Sequence, residues 1–505
     1  MILIVDFGSQ TAHLIGRRLR DLGVVSEYCQ PEEVIQKIQE LHPKGVILSG
    51  GPSSVYETGA PTVDPALFSL TTPILGICYG WQLMAKLLGG KVENTTKEYG
   101  PELLRIHKFS SIFCLPDHQF LVIMSHGDSV TKLPPGFTAI AHTAQVRFAG
   151  VENQDKKFYG VHFHPEADHT THGNKLLENF VVDICGETLS PLLIDPSSII
   201  LSIKNTIGKN KVICAVSGGV DSTVAAFLIG NAIGKNLIPV YVDSGLMRPD
   251  TDKRVKHIFT KLIKADLIIV DAKKQFMKAL KGITDPEIKR KTVGKLYIDI
   301  FQEQADKHKD ATFLGQGTIY SDVIESKGSK NASHIKSHHN VGGLPKDLKF
   351  QLIEPLRTYY KDEVRNIGKL IGLPEAIVNE QVFPGPGYAV RIRGEVTEER
   401  LVQIKIADKI VIEEMKKAEL YDKTYMCFAI MTGAYSTAVK GDGRVFAEVI
   451  AIRSVDSKDV MTSEWTRIPH EVLHTMSSRI VNEVPNVSRV VYDITTKPPA
   501  TMEWE

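Results

Sequence analysis

The chain has 505 residues, a length that predicts about three domains, since single domains commonly hold roughly 100–200 residues. Hydrophobic residues make up 43% and charged residues 24%, as in average globular proteins, which excludes extensive disorder. The 60 Lys and Arg residues balance 59 Asp and Glu residues, so binding to nucleic acid or to a membrane surface would require a local basic patch.

The cysteines and the apolar segments predict the compartment. The 6 cysteines are scattered without a C-x-x-C pair, which disfavours a disulfide scaffold or a structural zinc site and favours a reducing compartment. The opening apolar run meets Asp6, too early for a signal peptide, and no apolar run is long enough to span a bilayer. We therefore predict a soluble, cytoplasmic protein with no nucleic-acid or membrane partner.

Short aliphatic runs alternate with helix-like segments in the first part of the chain. Strands that are apolar throughout are typical of an α/β sheet covered on both faces. The strand candidates are 2–5, 46–48, 74–77 and 160–163, and the helix candidates are 11–22 and 81–88. We predict an α/β domain with a mostly parallel sheet over 1–189, followed by a linker at 190–198 that is rich in Pro and Ser.

A second pattern of alternating strands and helices follows the linker, and a smaller region closes the chain. The predicted boundary between them is the rigid turn at 384–387, which reads PGPG. We predict a second α/β domain over 190–383, again with a mostly parallel sheet, and a smaller α+β domain over 384–505. The strand candidates are 212–216, 237–242, 267–270, 312–315, 446–453 and 488–494, and a long helix is predicted over 398–420.

The segment 76–80 reads GICYG and lies between a strand and a helix candidate. This is the pattern of a nucleophile elbow, in which flanking glycines permit a tight turn that presents Cys78. His164 and Glu166 lie two residues apart after another strand, so they can point the same way as base and orienting acid. The histidines near them also fit a metal site, but no cysteine or clustered acid completes that ligand set.

Together with the SHGD run at 125–128, these segments resemble a class I glutamine amidotransferase domain. The resemblance implies that ammonia is released from glutamine through a glutamyl thioester on Cys78. It also implies that His164 is the base and Glu166 its orienting acid. The residues that it adds are Gly51 and Tyr79, whose backbone amides would hold the oxyanion, and Gln82, which would lie near the bound glutamine.

The segment 217–223 reads SGGVDST and separates a strand candidate from a helix candidate. Its glycines allow backbone N–H groups to face a phosphate, and Asp221 is a candidate ligand for Mg²⁺. The string resembles the loop of the N-type ATP pyrophosphatases, which implies cleavage of ATP between its α and β phosphates. The residues that this resemblance implies for ATP are Ser217, Gly218, Gly219, Val220, Asp221, Ser222, Thr223 and, at the end of the next strand, Asp243.

Further motifs resemble the GMP synthase family over nearly the whole chain. They are GQGTIYSDVIES at 315–326, IKSHHNVGGLP at 335–345, FPGPG at 383–387, GDGR at 441–444 and KPPATMEWE at 497–505. The resemblance implies synthesis of GMP from XMP, ATP and glutamine, with Mg²⁺ accompanying ATP, and a homodimer formed through the last domain. The implied XMP contacts are Arg248, Lys497 and Glu503, and the implied lid over the adenylation site carries Asp322, Glu325 and Lys336.

Four residues depart from the family pattern without removing a catalytic group. Trp81 stands where Met is usual, and it could crowd or gate the glutamine pocket. His162 replaces Gln and places a second imidazole near the base. Ser244 replaces Asn near the nucleoside, and Ser321 replaces Pro at the entry to the lid.

Other interpretations of the sequence remain open. Asp322 and Glu325 fit a solvated helix face, and a charged C-terminus is usually frayed, although two prolines and a tryptophan favour a docked tail. Another ATP-dependent amidotransferase, of the NAD synthetase type, would also combine a glutaminase with an ATP loop. A nucleotide-binding regulator without activity and a tRNA-modifying enzyme are further alternatives, and the balanced charge disfavours the latter.

Overall fold

The protein is described by a computed structural model over residues 1–9, 11–95, 97–190, 193–327, 350–440, 443–457, 463–497 and 499–505, without the side chains of 324–327 and 440. The chain divides into two compact units, Met1–Leu193 and Ile194–Glu505. Over the ranges just given, no helix is both long enough and apolar enough to cross a membrane.

The first unit is built on a nine-stranded sheet with helices on both faces. Its strands are β1 (Ile2–Val5), β2 (Ser26–Cys29), β3 (Gly45–Leu48), β4 (Ile74–Ile77), β5 (Lys91–Glu93), β6 (Glu98–Ile106), β7 (Gln119–His126), β8 (Ser129–Lys132), β9 (Thr138–His142), β10 (Gly150–Asn153) and β11 (Phe158–Val161). Its helices are α1 (Ala12–Asp21), α2 (Val34–Leu41), α3 (Tyr79–Leu87) and α4 (Gly173–Asn179). The strand order is β2-β1-β3-β4-β11-β10-β9-β6-β7, and β5 pairs separately with β8.

Half of this sheet is parallel and half is antiparallel. Strands β2, β1, β3, β4 and β11 run parallel, whereas β10, β9, β6 and β7 extend the sheet by antiparallel pairing. The strands β1, β3, β4 and β11 are buried at every position, as their apolar sequences predict, whereas the edge strand β2 is only partly buried. In β1, Ile2 and Ile4 face one apolar cluster, while Leu3 and Val5 face another.

The second unit contains two sheets that are connected by one hydrophobic core. The strands of the first sheet are β12 (Lys211–Ala215), β13 (Leu237–Asp243), β14 (Ile268–Asp271), β15 (Ala311–Gly315) and β16 (Gln351–Ile353), all parallel in the order β14-β13-β12-β15-β16. The second sheet consists of β17 (Met426–Lys440), β18 (Gly443–Asp456), β19 (Glu464–Trp465) and β20 (Val487–Asp493). The helices are α5 (Pro196–Ile207), α6 (Val220–Ile233), α7 (Thr251–His257), α8 (Lys273–Leu280), α9 (Pro286–Lys307), α10 (Tyr320–Lys327), α11 (Lys361–Leu370), α12 (Glu375–Val378), α13 (Glu398–Lys417) and α14 (His470–Glu483).

The second sheet confirms an α+β arrangement in the last part of the chain. The long strands β17 and β18 pair antiparallel, and β20 joins β18 in parallel after α14. One apolar cluster contains Val242 and Leu246 from the first part of this unit and Ile404 and Ile450 from the last part. The unit is therefore compact over its whole length, and the domain boundary at 383/384 stays a prediction.

The linker predicted over 190–198 is wrong in its last part, because α5 begins at Pro196. The Asp195 carboxylate accepts hydrogen bonds from the N–H groups of Ser197 at 3.0 Å and Ser198 at 3.1 Å. An Asp cap followed by Pro at the first helical position is a standard helix start. Pro and Ser therefore mark a helix N-terminus here.

Candidate active sites

Cys78 lies at the turn where β4 leads into α3, and its backbone is strained as a nucleophile elbow requires. Its φ is 48° and its ψ is −107°, in the left-handed region that residues with a Cβ rarely occupy. The turn is held by a hydrogen bond from the Cys78 N–H to the Val161 carbonyl at 2.8 Å. A Cβ on Gly76 would lie 2.7 Å from the Trp81 nitrogen, and one on Gly80 would overlap the Leu48 carbonyl. Glycine is therefore required on both sides of Cys78.

The structure brings His164 and Glu166 together beside this elbow. His164 Nδ1 lies 2.8 Å from Glu166 Oε1, and the Cys78 thiol donates to the Ser125 carbonyl at 3.7 Å. Burial disfavours the charged imidazole, but attraction to the Glu166 carboxylate and interaction with Cys78 outweigh it and raise the pKa of His164 well above its ordinary value. This geometry suits a base that takes the thiol proton and holds the resulting charge against a buried carboxylate.

Two threonines complete this arrangement, and neither was predicted from the sequence. Thr11 Oγ1 donates to Glu166 Oε1 at 2.8 Å, which fixes the carboxylate. Thr170 Oγ1 donates to the His164 carbonyl at 2.7 Å and accepts from the Ile123 N–H at 3.0 Å, which fixes the backbone of the base. Hydroxyl side chains at a helix start and in a turn carry no local signal of such distant contacts.

The loop at Gly50 and Gly51 lies against the same site. A Cβ on Gly50 would be 3.0 Å from His164 Cε1, and a Cβ on Gly51 would be 3.1 Å from Tyr79 Cγ. This approach is compatible with the oxyanion role predicted for Gly51 and Tyr79, which stays a prediction. Gln82 is 3% exposed and donates to the Asp128 carbonyl at 2.9 Å, so it supports the 125–128 run.

The second imidazole at position 162 is fully buried and differs electrostatically from the base. The centroid of its ring lies 4.6 Å from the centroid of the His126 ring. Burial, followed by repulsion from His126 and His164, lowers the pKa of His162 well below its ordinary value. His162 is therefore neutral, so it does not compete with His164 for the thiol proton.

Trp81 is fully buried in an apolar cluster that does not include Cys78. The centroids of the Trp81 and Phe137 rings are 5.5 Å apart. A Cβ on Gly160 would be 2.5 Å from the Trp81 ring. The structure thus places this side chain in the core beneath the elbow and gives no support to the suggestion that it crowds the glutamine pocket.

The 217–223 loop connects β12 to α6 in the second unit. Gly218 has a φ of 83°, and the hydroxyl of Ser217 accepts from the Gly219 N–H at 3.3 Å and contacts the Ser222 hydroxyl at 3.1 Å. A Cβ on Gly317 would be 2.7 Å from the Ser222 nitrogen, so the segment that follows β15 lies close to the loop. The result is a preformed turn at the N-terminus of α6, which suits a phosphate.

Asp221 and Thr223 lie near the start of α6, directly after this turn. Asp221 Oδ2 pairs with Lys361 Nζ at 2.6 Å, whereas Oδ1 is buried and has no hydrogen-bond partner within the described ranges. The Thr223 hydroxyl is likewise buried and unpartnered there. A buried carboxylate oxygen without a partner fits Mg²⁺, which proteins commonly hold through one or two carboxylates together with substrate phosphates.

Asp243 ends β13 and anchors the turn that follows it. Its Oδ1 accepts from the Gly245 N–H at 3.0 Å, and its Oδ2 pairs with Lys273 Nζ at 2.8 Å. Lys405 Nζ donates to the Gly245 carbonyl at 2.6 Å, and burial lowers the pKa of Lys405. Sequence reasoning missed three cations near the predicted ATP residues, namely Lys273, Lys361 and Lys405.

Two of the residues predicted to contact XMP belong to one buried region. Arg248 Nε lies 3.4 Å from Asp408 Oδ2, and its guanidinium stacks over Phe383 at 4.7 Å. Both carboxylate oxygens of Glu503 accept from Arg391, at 2.9 and 3.1 Å.

The C-terminal tail is docked, so the frayed alternative is wrong for its described part. Lys497 pairs through its backbone with Ser463, at N···O distances of 2.9 and 3.0 Å. Trp504 Nε1 donates to Asp493 Oδ2 at 2.8 Å, and Glu505 Oε2 pairs with Lys289 Nζ at 2.5 Å.

The predicted lid residues are described only in part. Asp322 Oδ2 accepts from the Ile319 N–H at 2.9 Å, at the start of α10. Glu325 lies on this helix, but its side chain is outside the described part of the chain, as is the whole of Lys336. Their role stays a prediction.

Comparison with known proteins covers the whole chain. Residues 3–184 match the family model for glutamine amidotransferase class-I, and residues 413–504 match that for the GMP synthase C terminal domain. The chain is similar to the GMP synthase [glutamine-hydrolyzing] of Carboxydothermus hydrogenoformans, with 49% identity over 100% of this chain and 99% of that protein. It is 50% identical to the protein of the same name from Brachyspira hyodysenteriae, again over 100% and 99% of the two chains.

Proposed function

Since the chain belongs to the family of glutamine-hydrolysing GMP synthases, we propose that each of its two units carries one half of that reaction. The enzyme is a ligase that makes GMP from XMP with ATP and glutamine. In the first unit, Cys78, His164 and Glu166 would release ammonia from glutamine. In the second, the 217–223 loop and Asp243 would bind ATP. The hydrogen-bonded pair of His164 and Glu166, beside Cys78 at a strained elbow, is the observation that carries the proposal.

The glutaminase half follows from that geometry. His164 takes the Cys78 proton, and the sulfur attacks the side-chain amide carbon of glutamine. The backbone amides of Gly51 and Tyr79 would hold the oxyanion until the C–N bond breaks, and His164 returns the proton to the departing ammonia. Water, deprotonated by the same imidazole, then hydrolyses the thioester to glutamate and regenerates the thiol.

The synthetase half would adenylate XMP. The purine oxygen that is to be replaced attacks the α phosphorus of ATP, pyrophosphate leaves, and ammonia displaces AMP to give GMP. Serine hydroxyls and backbone amides of the 217–223 loop would orient the phosphates. When bound, Mg²⁺ would be held by Asp221 and would offset negative charge on the phosphates.

The XMP and lid assignments extend this proposal. Arg248 and Lys497 suit the 5′-phosphate, and the Glu503 carboxylate suits hydrogen-bond donors on the purine or ribose. Asp322, Glu325 and Lys336 would close over the adenylation site, where acids suit Mg²⁺ and a lysine offsets phosphate charge.

Two parallel assays test whether the first unit supplies ammonia and the second unit forms GMP. GMP formation from XMP, ATP and Mg²⁺ is measured with glutamine and, separately, with ammonium as the nitrogen source. We expect product from both sources. We also expect glutamine hydrolysis to slow when XMP and ATP are left out, because ammonia released without an acceptor would be lost to solvent. Full-speed hydrolysis without them would contradict communication between the halves, and no GMP from either source would contradict the proposed adenylation of XMP.

We propose that the enzyme is a homodimer that associates through the outer part of the β17–β18 hairpin. Tyr435, Val439 and Phe446 are 54%, 74% and 71% exposed there, and the rings of Tyr435 and Phe446 stack at 5.6 Å. Exposed apolar patches of this kind commonly mark association surfaces.

The variant Phe446→Glu is expected to shift the protein from dimer to monomer in light scattering, because a buried, unpaired charge would be costly at an apolar interface. A matched control is Val25→Glu, at a position that is 70% exposed in the first unit. A dimer that survives Phe446→Glu, or a wild-type protein that is monomeric, would contradict this interface.

A cytoplasmic location is also proposed. All six cysteines are free, including the exposed Cys114. Unpaired thiols are typical of a reducing compartment.

A further inference from the structure

A buried ionic cluster, formed by Arg248, Asp408, Arg391 and Glu503, connects distant parts of the second unit. Arg248 follows β13, Arg391 follows the PGPG turn, Asp408 lies on α13, and Glu503 lies in the tail. Asp408 contacts both arginines, with Oδ2 3.4 Å from Arg248 Nε and Oδ1 3.7 Å from an Arg391 terminal nitrogen. Arg391 in turn binds Glu503 with both prongs of its guanidinium.

The centre of the cluster is shielded from solvent, and the cluster is balanced in charge. Asp408 and Arg391 are 0% exposed, whereas the side chains of Arg248 and Glu503 are 11% and 14% exposed. The four residues comprise two guanidinium groups and two carboxylates. The ring of Phe383 lies against both arginines, 4.7 Å from Arg248 and 4.6 Å from Arg391. Stacking and ion pairing together therefore fix both guanidinium planes.

Asp408 is the carboxylate that contacts both arginines. Besides the two arginines, its Oδ2 accepts from the Tyr388 hydroxyl at 2.9 Å and its Oδ1 accepts from the Ala429 N–H at 3.2 Å. Burying such a charge is costly, and apolar residues of similar volume often give equal or greater stability than a buried ion pair. The cluster is thus poorly explained as a device for stability alone.

The two ends of the cluster are the residues that we assign to XMP. Arg248 supplies a cation for the phosphate and Glu503 supplies an anion for the purine or ribose. Each is tied to Asp408, Arg248 directly and Glu503 through Arg391. The spacing between the two ligand-binding groups is therefore set by contacts that do not involve the ligand.

We propose that Asp408 is a positioning residue for the XMP site, which it sets by fixing Arg248 directly and Glu503 through Arg391. This inference rests on the proposed XMP contacts of Arg248 and Glu503. It assigns to Asp408 no contact with substrate. Preorganising both groups spares the site the entropy of ordering them when XMP binds.

The test is Asp408→Asn, which retains the shape of the side chain and removes its charge. With ammonium as nitrogen source, the KM for XMP is expected to rise about tenfold or more, as loss of a charged hydrogen-bond partner commonly costs. The KM for ATP and the rate of glutamine hydrolysis measured without XMP and ATP are expected to stay within about twofold of wild type, because neither involves the cluster.

The matched control is Glu448→Gln. Glu448 is another buried carboxylate of this unit, 3% exposed and bound to both prongs of Arg400 at 2.6 and 3.0 Å, but it has no contact with Arg248 or Glu503. If both carboxylates have only a structural role, both variants should lose thermal stability and the KM for XMP should stay unchanged. A rise in this KM in both variants, or in neither, would overturn the proposal.

Two further variants separate this inference from the proposed XMP contacts and cover the case in which Asp408→Asn does not fold. Glu503→Gln tests the contact itself, and if it leaves the KM for XMP unchanged, the XMP assignment fails. Arg391→Lys retains the charge but loses the two-pronged contact, so it should raise the KM for XMP. If Glu503→Gln raises that KM while Asp408→Asn and Arg391→Lys do not, only the positioning role of Asp408 fails.

Discussion

Replacing Cys78 with alanine is expected to abolish GMP formation from glutamine and to leave formation from ammonium at the wild-type rate. The thioester requires the Cys78 sulfur, and loss of a catalytic nucleophile commonly lowers turnover by about 10⁴-fold or more. Ammonium bypasses that step, because it enters the second half-reaction directly. The measurement is GMP formed per minute from each nitrogen source at saturating XMP and ATP.

The variant is well matched to the site, because alanine and cysteine both carry a Cβ at the strained φ of 48°. The elbow should therefore survive the change. Cys114→Ala, at an exposed cysteine of the same unit, is the control that should leave both routes intact. Persistent use of glutamine by Cys78→Ala would remove the nucleophile assignment, and loss of the ammonium route would show that the change damages the second half-reaction.

Much of the fold can be predicted from the sequence, because strands that are buried on both faces of a sheet consist of apolar residues. Strands such as β1 are apolar at every position, since alternate side chains face different cores. Glycines with a steric requirement, such as Gly76 and Gly80, likewise mark the elbow in the sequence. Local pattern and tertiary structure agree at these places, so a single sequence is enough to place Cys78 at the elbow.

The supporting contacts could not be predicted, because they join residues that are distant in the sequence and polar in character. Thr11 reaches Glu166, and Lys361 reaches Asp221, across intervals that no local pattern spans. A polar residue on a helix is usually interpreted as solvent-exposed, yet Asp408 on α13 is fully buried. Only the fold shows which charges are paired in the interior.

Replacing Asp221 with asparagine is the second change with a large expected effect, and it should impair both nitrogen routes equally. The buried Oδ1 atom is the candidate for Mg²⁺, and Oδ2 holds Lys361 at 2.6 Å beside the loop. Asparagine keeps the shape but loses the charge that would hold the cation, so GMP formation should fall by about 10²–10³-fold with either source. The basal rate of glutamine hydrolysis by the first unit, measured without XMP and ATP, should be retained.

Titration with Mg²⁺ separates a cation-binding role of Asp221 from a role in holding Lys361. If Asp221 holds the cation, higher Mg²⁺ should partly restore Asp221→Asn, whereas Lys361→Met should keep the wild-type dependence on Mg²⁺. Asp310→Asn is the matched control, because Asp310 also pairs with a lysine, Lys211 at 2.5 Å, but its side chain is 57% exposed and such surface pairs contribute little. The alternative outcome is an equal loss of activity in Asp221→Asn and Lys361→Met, with no response to Mg²⁺. This result would show that Asp221 acts by holding Lys361 and that other ligands bind the cation.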